Sequence, residues 1–311
     1  MNPRIPAVCV YTECPSHLPS HDPCRRSPET KHWIRRKDAY YRSSDSRWIT
    51  RFRCLVCQKS FSAARFSPAF RQKKRKLNEV LRRHLSSSLS QRRAAILFGV
   101  NRKTIERKFL YLGEQAVLSQ ERWLASLKEG SVKDVQFDEM ESVERTKLLP
   151  LSIPLVVESK TRLILAFDVA SMPAKGPLAA LSRKKYGPRK DERTQAASRV
   201  LERCKPLINP KGKLRSDQNP HYPTWIQKHF PTIRHIPTRG HRSSTSGQGE
   251  LKKTVFDPLF SFNHTAAMLR ANVNRLFRKT WCISKRADRL RLHIALYVQF
   301  HNETILGIRA A

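Results

Sequence analysis

Asp134-Val135-Gln136-Phe137 and Lys213-Leu214-Arg215-Ser216 are short stretches with strand character, and each leads directly into an aspartate, Asp138 and Asp217. Val135 and Phe137 alternate with polar neighbours, which predicts a half-buried strand. Both carboxylates are therefore expected at strand ends, in a chain carrying 61 Lys+Arg against 25 Asp+Glu. A protein built to grip phosphate has no structural reason to hold carboxylates there unless something offsets their repulsion. A divalent cation does so: Mg²⁺ takes few, hard, anionic oxygen ligands and keeps waters that a substrate can replace. Two metals held by carboxylates stabilise the attacking and leaving oxygens of a phosphodiester displacement. The reading requires the first and fourth strands of the domain to be neighbours. Each residue also has a plain structural reading: Asp138 as a strand-end turn residue beside Glu139, Glu141 and Glu144, and Asp217 as an Asx turn before Asn219-Pro220. Asp168, at the end of the third strand, is a rival carboxylate.

Around these aspartates, positions 133–169 read as strands, with an apolar, β-branched run at 151–157 and a buried run at 163–167. A basic loop over 182–191 precedes a helix expected at about 192–207, whose Ala196, Ala197, Val200 and Leu201 face inward. Leu214 and the run 233–236 supply two more strands. Asp257-Pro258 opens a long helix, Asp as N-cap and Pro at its first position, with an apolar stripe of Phe262, Ala266, Leu269, Val273 and Leu276. A last helix over about 286–300 carries Leu290, Ile294 and Tyr297. The sum is a mixed sheet covered by helices, expected to occupy 126–311.

The formal net charge of +36 in 311 residues points to a polyanionic partner, nucleic acid first. The longest apolar run, 148–157, is too short and too proline-broken to span a bilayer. No apolar leader is evident near the N-terminus. Seven clustered cysteines fit a metal site in a reducing cytosol rather than a disulfide framework, so a cytoplasmic, nucleoid-associated location is expected. Residues 1–66 are rich in Cys, Pro, Ser and Arg and need a staple. Cys54-Leu-Val-Cys57 offers one knuckle and Cys9-Val-Tyr-Thr-Glu-Cys14 a second, giving the four thiolates that structural Zn²⁺ prefers. Cys24, His17 and His21 compete as ligands. A basic linker (67–76) leads to a helix-turn-helix over 77–125, with Ser90 and Gly99 as caps of its first helix. The second helix of such a motif enters the major groove, making Arg102, Lys103, Thr104, Arg107 and Lys108 the candidates for DNA contact. An ordinary helical hairpin with a solvated basic face is the alternative.

The combination resembles a family. Arg53-Cys54…Cys57-Gln-Lys-Ser-Phe61, Ser90-Gln-Arg-Arg-Ala-Ala, Asn101-Arg-Lys-Thr104, Phe137-Asp138-Glu139, Ser216-Asp217 and the stretch from Leu269-Arg270 through Asn274-Arg275 to Lys285 look like a bacterial insertion-sequence transposase of the insertion-sequence-one group. The resemblance implies three parts: a zinc-ribbon-like module, an all-α helix-turn-helix and a ribonuclease-H-like α/β catalytic domain. It implies a DDE-class enzyme that uses Mg²⁺ or Mn²⁺ to cleave transposon ends and join them to target DNA, acting as a homo-oligomer on double-stranded DNA. Asp138 and Asp217 match the first two acids. The third falls on Asn263, with Arg270 as the following basic residue, so the chain departs from a strict DDE pattern. An Asn carbonyl can ligate Mg²⁺ but brings no charge. Glu250 is the reserve carboxylate, and Asp257 is read as a helix cap. Arg270, Arg275, Arg278, Lys279 and Lys285 are expected to contact phosphates, or else to form a solvated basic face. The alternative from another class is a catalytically inactive, transposase-derived DNA-binding regulator.

Overall fold

The computed structural model describes residues 5–17, 33–43, 46–238, 257–277, 282–305 and 307. Two compact units divide the chain, Met1–Glu79 and Val80–Ala311.

In the first unit, β1 (Ile34–Arg42), β2 (Arg47–Cys54) and β3 (Ser60–Ser62) form an antiparallel sheet in the order β1-β2-β3. Its core is small: Ile34, Phe52 and Phe61 pack with Cys9, Cys14 and Cys54. So little buried apolar surface cannot offset the ordering entropy of the chain without a further tie. Helix α1 (Leu77–Leu85) crosses from the first unit into the second.

The second unit opens with α2 (Gln91–Leu97) and α3 (Arg102–Ser126). Ser90 caps α2 by accepting from the Arg93 amide at 3.3 Å, and Asn101 caps α3 by accepting from the Lys103 amide at 2.8 Å. Gly99, at φ +58°, takes the left-handed turn between them. Helix α3 runs for 25 residues, far beyond the turn motif, because its apolar stripe continues through Ile105, Phe109, Leu112 and Ala116. It lies against α8 (Ala287–Phe300). A Cβ at Gly113 would come within 2.7 Å of Leu292 Cβ, so only glycine permits that approach.

The large sheet contains β4 (Val132–Glu144), β5 (Thr146–Glu158), β6 (Ile164–Phe167), β7 (Ala170–Ser171), β8 (Ile208–Ser216) and β9 (Arg234–Pro237). Its order is β6-β5-β4-β8-β9, with β7 paired to β5. Strands β4, β5 and β6 are antiparallel neighbours, whereas β8 runs parallel to β4 and β9 parallel to β8. Strand β5 begins at Thr146 rather than at 151 because Pro150 and Pro154 are accommodated inside it. Both use their carbonyls, which accept from the amides of Met172 (3.3 Å) and Asp168 (3.1 Å).

Helices close the sheet. Helix α5 (Arg193–Cys204) and α6 (Tyr222–His229) pack Ala197, Val200, Leu201, Tyr222, Trp225 and Ile226 against Val135, Phe137 and Leu214. Helix α7 (Phe260–Asn272) docks onto β4 through Gln136, whose side chain accepts from the Phe262 amide at 2.7 Å and donates to the Pro258 carbonyl at 3.1 Å. Helix α4 (Leu178–Tyr186) covers part of the stretch expected to be a basic loop. The α7 segment also departs from expectation. Its helix starts at Phe260, after an Asp257 turn in which the side chain accepts from the Leu259 amide at 3.0 Å. It stops at Asn272, and Asn274–Leu276 is a separate 3-10 turn.

His293 joins α8 to α1, donating to the Leu85 carbonyl at 2.8 Å while Phe109 meets its ring edge-on. Burial pushes its pKa down to about 4, so the unfolded chain binds a proton that the folded one refuses between about pH 6.5 and pH 4. The stability it contributes is present above pH 6.5 and is lost as pH falls toward 4. A denaturation series over that range should show a loss of roughly 2–3 kcal/mol from this group, and His293→Leu should flatten it. An unchanged slope in the variant would remove His293 as the cause.

Candidate functional site

The β4–β8 pairing sets the site. The parallel register pairs Asp134 with Lys213, Val135 with Leu214 and Gln136 with Arg215. Continued by two residues, that register leads to Asp138 and Asp217, and the Asp217 charge acts on Asp138. Burial first, and then the Asp217 charge, raise the Asp138 carboxyl to about 7. The Tyr222 hydroxyl donates to Asp138 Oδ1 at 2.9 Å, and the Glu139 amide donates to the same oxygen at 2.7 Å. Asp217 also serves as the Asx turn that its sequence suggests, accepting from the Asn219 amide at 3.0 Å. Below it, the Ser216 hydroxyl lies 2.9 Å from His235 Nε2, and burial lowers the His235 pKa.

Sequence reasoning missed two members of this neighbourhood. Glu139 enters the sequence reading only as a neighbour of Asp138, yet Ser152 donates to one of its oxygens and Tyr222 reaches the other at 3.4 Å. Burial raises its pKa. Tyr222 opens a helix that was not expected, and burial together with the carboxylates around it pushes its pKa up. It therefore stays protonated and donates. Pro223 in the first turn of α6 was the available signal for that helix.

The remaining candidates separate. Asn263 is exposed on α7 and its amide donates to Asp257 Oδ2 at 2.9 Å. Arg270 is half-buried toward the C-terminal end of the same helix. Asp168 is buried and gripped by Arg199 and Arg291, each at 2.7 Å, which offsets its charge without an ion. At the start of α3, Arg102, Lys103 and Arg107 are exposed and Thr104 is half-buried. Lys108 corrects the sequence reading: it is 5% exposed on the inward face with Ile105 and Phe109 and cannot present itself to a groove. Arg275 is also drawn inward, its guanidinium 5.3 Å from the centre of the Phe109 ring. Glu250, Arg278 and Lys279 lie outside the described residues.

In the first unit, Cys9, Cys14, Cys54 and Cys57 bring their sulfurs within 4.8 Å of one another. This is the one group of at least three metal-ligating side chains that meets so closely among the described residues. Cys9 and Cys57 are 3.8 Å apart and Cys14 and Cys54 3.7 Å. Four sulfurs at Zn–S distances of about 2.3 Å in a tetrahedron stand about 3.8 Å apart, so the cluster is compatible with structural zinc. The spacings are far from a disulfide bond of about 2.05 Å. Burial pushes the Cys9 thiol up to about 12. Burial acts on Cys14 too, but hydrogen bonds from Ser16 overcome it and bring that thiol down to about 6. His17, one of the rival ligands, points its Nε2 at the Cys9 carbonyl oxygen instead (2.9 Å). Cys24 and His21 lie outside the described residues.

Fold and site together define an α/β protein whose mixed sheet carries a half-buried carboxylate pair, Asp217 just past the end of β8 and Asp138 within β4, which continues to Glu144 instead of ending there as expected, in a chain that also holds a four-cysteine module. No protein-family model matches the chain, and no curated protein matches it. Among solved structures, it is similar to a chain of the simian T-cell lymphotropic virus intasome in complex with PP2A regulatory subunit B56 gamma. The two are 14% identical over 68% of this chain and 71% of that one, with a TM-score of 0.23. No described helix is long and apolar enough to cross a membrane.

The raised Asp138 carboxyl has a stability signature. Between its ordinary value of 3.8 and about 7 the folded protein holds a proton that the unfolded chain has released, so stability falls as pH rises through that window. Metal-free Asp138→Asn protein should outlast wild type by roughly 1–4 kcal/mol at pH 8 and by much less near pH 4. Added Mg²⁺ should narrow the gap by stabilising wild type. A gap that does not change with pH, read in thermal melts, would refute the burial argument.

Proposed function

We propose that the protein is a DNA transposase of the DDE class in a D–D–N variant, with a ribonuclease-H-like catalytic domain preceded by a zinc-ribbon-like module and a helix-turn-helix. The observation that supports this reading is the parallel β4–β8 pairing, whose register continued by two residues leads to Asp138 and Asp217, with the Asp217 charge acting on Asp138. Their electrostatic coupling supports it, because two carboxylates sharing one site suit a divalent cation. The three antiparallel strands followed by two parallel ones support the domain type.

Asp138 and Asp217 would hold Mg²⁺ or Mn²⁺, with Asn263 as a neutral third ligand. Bound there, the metal supplies Lewis-acid stabilisation of the attacking and leaving oxygens. Tyr222 keeps Asp138 oriented, and its hydroxyl proton stays in place because carboxylates surround it. Exposed Arg102, Lys103 and Arg107 on α3 would dock transposon ends, and Arg270 would steady a phosphate near the cleaved strand. Assembly of two ends on a homo-oligomer belongs to the same reading, as does action in the cytoplasm on nucleoid DNA. One observation favours the inactive regulator: Asn263 stands where an acid is expected, and its amide is engaged by Asp257.

The deciding experiment incubates the protein with terminal-repeat DNA and Mg²⁺ or Mn²⁺ and scores 3′-hydroxyl nicks and joined products. Wild type that binds ends without cutting them, and behaves as its Asp138→Asn and Asp217→Asn variants do, would leave the regulator.

A further inference from the structure

The β1–β2 hairpin turns large rings to water beside a basic flank. Along β1 only Ile34 is buried, and the strand forms an edge of its sheet. Toward the turn, Trp48 is 69% exposed, Tyr41 54% and Tyr40 39%. Tyr41 and Trp48 stand directly opposite each other across the strands, with ring centres 5.8 Å apart and planes at 64°. The next rung, about 3.3 Å along the strands, sets Arg42 opposite Arg47, and nearer the cysteines Arg35 faces Arg53. Like charges placed opposite one another oppose strand pairing. Among the described residues of the hairpin the one acid, Asp38, is bound to Arg51. Large rings turned to water and a basic flank gain from a partner that offers flat apolar faces and negative charge at close spacing.

We propose that the outer end of this hairpin is a base-stacking contact surface for DNA with unpaired bases, Trp48 and Tyr41 supplying the rings and the arginines beside them the phosphate contacts. Aromatic rings stack on any base, and backbone charge holds the strand while they do. Duplex DNA keeps its base faces covered, so the rings discriminate in favour of tails, forks and distorted ends. An anionic lipid surface also attracts Trp, Tyr and Arg, but the hairpin lacks an exposed aliphatic anchor, since its Ile49 is buried. The inference rests on the nucleic-acid reading above but not on its chemistry. Asp138→Asn protein, which should not cleave, should show the same hairpin effect, so the two fail separately.

Fluorescence anisotropy with the full chain, without added divalent ion, tests it on a blunt duplex and on the same duplex bearing a single-stranded tail. Trp48→Ala should weaken binding to the tailed DNA by about 5- to 100-fold and to the blunt duplex by less than about 3-fold. Trp48→Phe should recover most of the loss. Tyr41→Ala should shift binding the same way, which keeps the test alive if one variant misfolds; unchanged zinc content checks folding. Vesicles of phosphatidylserine and phosphatidylcholine supply the rival surface. Equal losses on both DNAs, undiminished binding of the tailed DNA by both variants, or losses confined to vesicles would each overturn the proposal.

Discussion

Asp138→Asn should reduce metal-dependent nicking of terminal-repeat DNA by on the order of 10²- to 10³-fold or more, with end binding changed by less than about 3-fold. The asymmetry follows from where the side chain sits. Asp138 is withdrawn beside Asp217 and held by Tyr222, whereas the exposed cations of α3 lie on a different element. Removing one negative charge relieves repulsion in the free protein while depriving a metal of an anionic oxygen. Metal affinity of wild type should tighten as pH rises through about 7, where Asp138 ionises. The variant should lose that dependence. Isothermal titration with Mg²⁺ or Mn²⁺ at pH 6 and pH 8, beside single-turnover cleavage, reads both quantities. Equal cleavage by variant and wild type would end the catalytic assignment, even if DNA binding remained intact.

Stripping zinc, or replacing Cys54 with Ser, should unfold the first unit and leave the second standing. The four sulfurs already lie at the mutual spacing a tetrahedral ion sets, and the apolar cluster around them is small. Structural zinc in comparable peptide modules contributes on the order of 10–16 kcal/mol of apparent binding energy, more than a core of this size supplies. Chelation should make the segment up to Glu79 protease-sensitive while the unit from Val80 onward keeps its melting behaviour. Metal analysis should find one zinc per chain in wild type and little in Cys54→Ser. A first unit that stays protected after complete metal removal would show that the cysteines pack as hydrophobic residues only.

How much of this was legible in the sequence differs by element. The aspartates, the Cys54-Leu-Val-Cys57 knuckle, the Ser90 cap and the Gly99 turn announce themselves locally, because alternation, ligand spacing and capping act over a few residues. Lys108 shows where local reading stops. Its charge marked it as a groove contact, yet helical periodicity places it beside Ile105 and Phe109 on the inward face. Pro150 hid the start of β5, because proline argues against an interior strand until a neighbour is found that uses only its carbonyl. Tyr222 had no local signature as a site residue, since only the packing of α6 on Phe137 carries its hydroxyl to Asp138.

By itself the sequence determined the basic character of the chain, the strand that stops just before Asp217, and the thiols available to a metal, all of which depend on residue type and short-range period; it placed Asp138 at a strand end, whereas β4 continues past it to Glu144. Only the tertiary structure decided that β4 and β8 are parallel neighbours, that Tyr222 and Glu139 join the acids, and that Asn263 turns its amide to Asp257. The physical reason is that strand order is set by burying both faces of the sheet, under α5 and α6 on one side and with α7 docked through Gln136. That free energy belongs to surfaces brought together from distant segments, and no local window of sequence contains it.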